Sequence, residues 1–436
     1  MREGWKEVKL GDISDIYSGF AFKSKEMTTE NNGIPLVKIK NIFDRKVSNE
    51  FDSYLLEKYD NPKFNKYRLL QGDILVAMTG QGSVGRIGKM HCVNDKIYVN
   101  QRVGIVRVNE KLADKEFVYQ QLATKDNETI YFNLALGAGQ PNLSPADIGN
   151  KIINLPPLET QKKIASILSG YDDLIENNLK RIKILEEMAQ QTYEEWFVRM
   201  RFPGHDASRA SASVNEETSE IERSRNVPEG DALSLPKGWE KVKLGELWEI
   251  QSSKRIFLSD YVDSGIPFFR GKEITQKSEN STISDLIYIR EDKFKEIKKK
   301  YGAPSTNDIL ITAVGTLGNL YMVRETDEDF YFKDGNLIWF KSNDNYSSYY
   351  LLYYLKSTSF QNYINNTAIG SSQKALTIKG MKESDIIKPS KDLIDSFDEI
   401  IIPISKSIEN LQNQNQRLRE ARDILLPRLM MGMVEV

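Results

Sequence analysis

The side chains able to do covalent or metal chemistry are few. The 436-residue chain has two histidines, His91 and His205, and one cysteine, Cys92. That is too little for a thiolate or histidine metal site, a disulfide framework or a histidine-dependent nucleophile–base pair. Four short motifs imitate catalytic ones. NPKF at 61–64 has Lys where an adenine methyltransferase loop needs its second Pro, and it lacks a companion glycine-rich cofactor motif, so it reads as a turn. GQGSVG at 80–85 fits GxGxxG after an apolar run. However, a strand-like run at 98–108 follows instead of a βαβ unit, and the later counterpart VGTLGN at 314–319 lacks the pattern. The run at 82–89 has the wrong spacing for a P-loop and ends before Met90, where Ser or Thr is required. Glu296-Ile297-Lys298 resembles a nuclease ExK but lies in a Lys/Glu-rich stretch that reads as a solvated helix face. What remains is non-covalent chemistry: amide, guanidinium and ammonium groups in glycine-rich loops.

Composition sets the class. Hydrophobic residues make up 40% and charged residues 28%, as in an ordinary globular chain. Lys and Arg total 60 against 62 Asp and Glu, a net charge of -2 that gives no whole-chain sign of nucleic acid. No run of about 18 apolar residues exists, and the start MREGWKEVKLGD lacks signal-peptide features. A cytoplasmic location is expected.

The chain repeats itself. GWKEVKLGD at 4–12 returns as GWEKVKLGE at 238–246, and GDILVAMTG at 72–80 returns as NDILITAVG at 307–315. YVNQRVGIVR at 98–107 matches YFKDGNLIWF at 331–340, LGAGQPNL at 136–143 matches IGSSQKAL at 369–376, and IENNLKRIKILEE at 175–187 matches IENLQNQNQRLRE at 408–420. The order is kept and the offsets stay between 232 and 235, which means a tandem duplication of the whole unit.

Each copy divides in two. Residues 1–155 and 236–388 carry short β-rich runs (74–78, 103–108, 309–313, 337–340) between helical stretches (117–134, 349–364), the pattern of a mixed α/β domain. Residues 156–201 and 389–436 read as long helices, and the Ser/Glu-rich 202–235 reads as a flexible linker. Heptad-spaced positions run Ile164, Leu168, Tyr171, Ile175, Asn178, Ile182, Leu185, Ala189, Thr192 and Trp196. An offset of 233 gives Phe397, Ile401, Ile404, Ile408, Leu411, Asn415, Leu418, Arg422, Leu425 and Leu429. Two seams in one register predict that the helices pair with each other, with Asn178 and Asn415 fixing register and Pro403 kinking the second helix. The fold class expected is α+β: a tandem pseudo-two-fold repeat with two mixed α/β heads separated by a pair of long antiparallel helices. A 40-residue helix is about 60 Å long, and the linker could span about 110 Å, so a parallel pair stays open. Antiparallel helices would hold two similar heads at a fixed separation, which suits a bipartite site on duplex DNA. By segment, the first head holds 22 basic and 19 acidic residues and the second 22 and 20, so both are mildly positive.

Over essentially its whole length the chain resembles the specificity (S) subunits of type I restriction-modification enzymes. The resemblance rests on LPKGWEKVKLGEL at 235–247, GDILVAMTGQGSVGRIGK at 72–89, NQRVGIVRV at 100–108, GAGQPNLSPADI at 137–148 and LPPLETQKKIASIL at 155–168. EEWFVRMRFPG at 194–204 and ILLPRLMMG at 424–432 complete it. It implies two target-recognition domains that read the halves of an asymmetric DNA site. It also implies conserved helices that pair and dock two modification (adenine methyltransferase) subunits, and restriction subunits that cleave foreign DNA. S-adenosylmethionine, ATP and Mg belong to those partners; this chain carries no cofactor, no metal and no catalytic residue.

Base readout uses Arg, Lys, Asn and Gln at base edges. The equivalent loops of the two copies nominate Lys38, Lys40, Asn41, Gln81, Ser83, Arg86, Gln101, Arg102, Gln140 and Asn142 in the first head. In the second they nominate Arg270, Lys272, Thr316, Asn319, Lys333, Gln373 and Lys374. Tyr193, Trp196, Phe197, Leu425, Leu429 and Met430 cluster at the helix C-termini, where large apolar groups suit a partner surface; local core packing is the equal alternative. A two-headed protein-binding scaffold without a DNA role is the competing function, and a self-sufficient methyltransferase lacks its motifs.

Overall fold

A computed structural model describes residues 4–93, 96–136, 141–204, 235–279, 281, 283, 285–370 and 374–436. The chain forms two compact units, one of residues 1–177 with 414–436 and one of residues 178–413. The cut passes through the middle of both long helices, because each head packs on the start of one helix and the end of the other. Most of the expected linker, 205–234, lies outside the described residues.

In the first unit a six-stranded sheet runs in the order Ser14–Ser18, Val103–Val108, Ile74–Ala77, Ile87–Lys89, Lys46–Val47, Ile42–Phe43. A four-stranded sheet runs in the order Tyr98–Val99, Ile34–Val37, Tyr54–Leu55, Met27–Thr28. In the second unit the counterparts are Ile250–Gln251, Leu337–Phe340, Ile309–Thr312, Leu320–Met322 and Tyr261–Val262, Ile287–Ile289, Ile266–Phe269, Tyr331–Phe332. Each head also ties its first strand to its last: Lys6–Lys9 pairs with Ile152–Leu155, and Glu240–Lys243 with Asp385–Lys388, both antiparallel.

The central strands Ile74–Ala77 and Ile309–Thr312 are buried at every position, so they are near-continuous apolar runs and not alternating ones. A buried Asp precedes each and is satisfied differently. Asp73 accepts Leu70 N at 2.8 Å and a fork from Arg107 at 2.8 and 2.7 Å. Asp308 accepts Ser305 N at 2.8 Å, Trp339 Nε1 at 2.8 Å and Ser342 N at 2.7 Å. Each expected mid-domain helix is two helices. Lys115–Leu122 and Lys125–Ala135 break where Thr124 turns extended and caps Asn127 N; Ser348–Lys356 and Thr358–Thr367 break where Ser357 caps Phe360 N.

The first long helix is Leu158–Tyr193, continued by a π-helical turn Glu194–Val198; the second is Lys391–Met430 and passes through Pro403 as one element. All twenty expected seam positions are buried or half-buried, Asn178 and Asn415 among them. Within the first unit the segments run antiparallel: Asp172 pairs with Arg422 at 2.6 Å, and Asn415 Nδ2 reaches Ile175 O at 3.5 Å. Within the second, Tyr193 and Trp196 meet Phe397 at ring separations of 6.3 and 6.0 Å. No helix among the described residues is long and apolar enough to cross a membrane.

Candidate nucleic-acid interface

In each head a chain of backbone hydrogen bonds gathers loops that are far apart in sequence. In the first head Asn100 N donates to Val37 O at 3.0 Å, Met78 N to Arg102 O at 3.0 Å and Leu143 N to Met78 O at 2.8 Å. These bonds bring together the loop after residue 37, the hairpin loop at 78–86, the turn at 100–102 and the segment ending at 143. The second head repeats them: Lys333 N donates to Phe269 O, Ala313 N to Asn336 O and Leu376 N to Ala313 O, each at 2.8 Å. The loops that the repeat nominated are therefore neighbours in both heads.

The glycine motif at 80–85 is the tip of an antiparallel hairpin between Ile74–Ala77 and Ile87–Lys89, not a strand-to-helix turn. Gly85 has φ +87°, and a Cβ there would stand 2.6 Å from Glu128 O; at Gly318, φ +84°, it would stand 2.8 Å from Ile364 Cδ1. Glycine is what lets the hairpin lie against the helix behind it. NPKF opens a 3-10 turn capped by Asn61, and the ExK triplet lies on the helix Glu291–Tyr301, where Glu296 pairs with Lys293 and Lys298 with Asp329.

The nominated side chains fall into two groups. Gln81, Gln101, Arg102 and Asn142 are exposed at the loop tips of the first head, and Arg102 has no ion pair among the described residues. Ser83 is half-buried beside them, and Arg86 folds back so that Nη2 donates to Gly82 O at 2.7 Å. In the second head Thr316 and Lys333 are exposed, Lys374 leans on Asn365 O at 3.4 Å, and Lys272 stands 3.8 Å from Asp285.

The other group is used within the fold. Asn41 is 3% exposed; its Oδ1 accepts from Lys38 N at 2.8 Å and its Nδ2 donates to Glu50 O at 3.0 Å. It holds its loop in shape and has no free edge for a base, which corrects its nomination. Lys38 Nζ donates to Ser53 Oγ at 2.6 Å and Lys40 pairs with Asp52. Arg270 forks onto Glu273, which is fully buried; burial pushes the Glu273 carboxyl up, but the Arg270 bonds outweigh it and leave it below the usual carboxylate range. Asn319 Nδ2 donates to Thr275 Oγ1 at 2.8 Å. Gln140 and Gln373 lie outside the described residues.

The expected partner surface is corrected as well. Tyr193, Trp196 and Phe197 are buried in the core of the second head, Leu429 and Met430 in that of the first, and Leu425 is half-buried against the latter. Sequence spacing shows that these groups cluster; it does not show that a head covers them. The exposed aliphatics of the long helices are others: Ile167, Leu174 and Ile424 in the first unit, Leu179, Ile184, Met188 and Ile400 in the second. Ile184 and Met188 stand one turn apart, outside the heptad seam, and that spacing was the available signal.

The profile of the type I restriction modification DNA specificity domain matches residues 2–187 and 236–420. The type I restriction enzyme HindI specificity subunit of Haemophilus influenzae is 25% identical over 98% of this chain and 99% of its own length. The MjaIX specificity subunit of Methanocaldococcus jannaschii is 26% identical over 74% of this chain and 69% of its own. Among solved structures, the type I restriction-modification system S subunit from M. genitalium matches 98% of this chain and 96% of its own, with TM-score 0.54 at 17% identity, a likeness of fold.

Proposed function

The chain belongs to the family of type I restriction modification DNA specificity proteins, and from that premise we propose how it works as the non-catalytic specificity subunit of such an enzyme. Each head reads one half of a bipartite, asymmetric DNA target. The observation that carries this reading is the repeated chain of backbone bonds that gathers the same loops in both heads while their side chains differ. Equal scaffolds with unequal tips suit unequal half-sites. Gln81, Gln101, Arg102 and Asn142 are the base-facing groups of the first head, Thr316, Lys333 and Lys374 those of the second. Arg86, Ser83 and Lys272 stand beside them, and Lys38, Lys40, Arg270 and Asn319 shape the loops.

The long helices dock two modification subunits through exposed aliphatics such as Ile184 and Met188, and restriction subunits join the same complex. S-adenosylmethionine, ATP and Mg act on those partners, in the cytoplasm. The helix pair sets the gap between half-sites: four residues inserted in each helix, about 6 Å of rise, lengthen the spacer of the methylated motif by one or two base pairs. The test of the whole reading is methylation of DNA by the chain with and without modification subunits. Site-specific adenine methylation requires both; methyl transfer by the purified chain alone contradicts it.

A further inference from the structure

Phe257 and Leu258 are the most conspicuous apolar pair on the second head, 63% and 82% exposed. They are not on a loose loop. The preceding Ile256 is buried with Phe268, Ile289, Phe294, Ile297 and Tyr331. The following Asp260 is buried too; its carbonyl accepts Arg290 N at 3.2 Å and its own N–H closes a 3-10 turn onto Phe257 O at 2.9 Å. Two large apolar side chains therefore project from a backbone clamped on both sides.

The segment is also fastened to one of the candidate recognition turns. Ser252 Oγ donates to Leu337 O at 3.0 Å and accepts from Gly335 N at 3.3 Å, and Lys254 N donates to Tyr331 Oη at 2.9 Å. Arg255 Nε bonds Asp334, the neighbour of Lys333, at 3.0 Å, which takes up that acid. Lys254, three residues before Phe257, and Lys300 stand 4.6 and 5.2 Å over the ring of the part-exposed Tyr301. The first head lacks the feature. Its matching 3-10 turn, Ser24–Glu26, puts Lys23 and Ser24 where the second head has Phe257 and Leu258, while Phe22 is buried as Ile256 is.

We propose that Phe257 and Leu258 form an apolar wedge that enters the minor groove at the edge of the second half-site and pries a base step apart, with Lys254, Lys300 and Lys333 on the flanking phosphates. An apolar tip held rigidly, with lysines on its own segment and on the recognition turn to which that segment is fastened, suits a protein that unstacks and bends duplex DNA. The lysines favour a polyanion such as the DNA backbone over an apolar protein face. The wedge makes the two heads unequal in kind: the second deforms its half-site, the first does not. This inference rests on the proposed DNA reading of the second head.

The test uses the full chain assembled with its modification subunits and a duplex carrying its methylated motif, with a fluorescent purine analogue placed at successive positions. The expected result is a several-fold fluorescence rise at one step beside the second half-site and none beside the first. In the F257K/L258S variant, which carries the first head's residues, the rise disappears and affinity falls roughly tenfold, with the melting temperature and the first half-site preference unchanged. A rise that persists in the variant, or no rise with the wild-type complex bound, overturns the wedge while leaving the reading of the second head intact. Loss of subunit assembly in the variant overturns it in favour of a protein contact. A wild-type complex with no sequence preference at all overturns the DNA reading and the wedge together.

Discussion

In the first unit the head meets the helices through aliphatic packing extended by an ion-pair network. Ile164 and Leu168 of the first helix and Leu426, Leu429 and Met430 of the second enter its core. Farther along the same helices, Asp172 bonds Arg422 at 2.6 Å, lies 3.6 Å from Arg45 and accepts Gln120 Nε2 at 2.6 Å. In the second unit the positions 233 residues away hold Phe397, Ile401, Tyr193, Trp196 and Phe197, and Ser405 and Ala189 stand where the first unit has Asp172 and Arg422. That joint is aromatic: Phe197 lies 4.8 Å from Tyr350 and 5.1 Å from Phe397, ring to ring, both edge-on. The duplication has kept where each head touches its helices and replaced what does the touching. A charge network needs every member present, whereas an aromatic cluster needs volume, so the two joints fail in different ways.

The largest difference comes from volume. Phe397→Ala removes the ring on which the second joint converges and costs about 4 kcal/mol. Four of the five tryptophans (Trp196, Trp239, Trp248 and Trp339) belong to the second unit, so tryptophan fluorescence reports its unfolding. The fluorescence transition moves to lower denaturant, and Ile164→Ala, the equivalent change in the first unit, leaves it in place. If both changes shift it equally, the joints are not separate.

Next comes charge. Asp172→Asn leaves Arg45 and Arg422 without their shared anion and costs about 3 kcal/mol, seen by circular dichroism as loss of helix ahead of the fluorescence change. The same joint is acid-sensitive. Burial pushes the Asp172 carboxyl up, but Arg45 and Arg422 more than offset it and hold it below the usual carboxylate range. Its stabilisation is thus complete above the unfolded-state value, about 4, and is lost as pH falls through the lower folded value. In the second unit Asp398 is shifted the other way, raised by burial and by Asp395 against a bond from Ser347. Protonation there favours the folded state, so falling pH should weaken the first unit relative to the second. A fluorescence transition that precedes the loss of helix in acid would contradict this.

The smallest effect bears on readout. Arg102→Ala should cost about 1–3 kcal/mol of target binding and relax preference in the first half-site alone, and Lys333→Ala should act on the second alone. Equal weakening on all sequences would make either one a phosphate contact.

Much of this architecture was legible in the residues. The duplication, the central strands and both seams show in apolar spacing, which is a local pattern. The breaks at Thr124 and Ser357 are not, because one side-chain oxygen accepting a backbone N–H decides them inside an otherwise helical stretch. Loop convergence was hidden for another reason: it depends on the parallel pairing of Tyr98–Val99 with Ile34–Val37, a contact across some sixty residues that nothing local announces. Asn41 looks like any polar loop residue until Glu50 O is seen to accept from its amide. Tyr193, Trp196 and Phe197 look like an interface until the second head is seen to enclose them, since most of the residues in that core lie from Trp239 onward.

The central claim is that each head chooses one half of the target. Its most direct test replaces residues 236–388 with the corresponding head of another specificity subunit and maps adenine methylation in cells that also make the modification subunits. The account predicts a motif whose first half is unchanged and whose second half is new. A motif altered in both halves, or in neither, would contradict it.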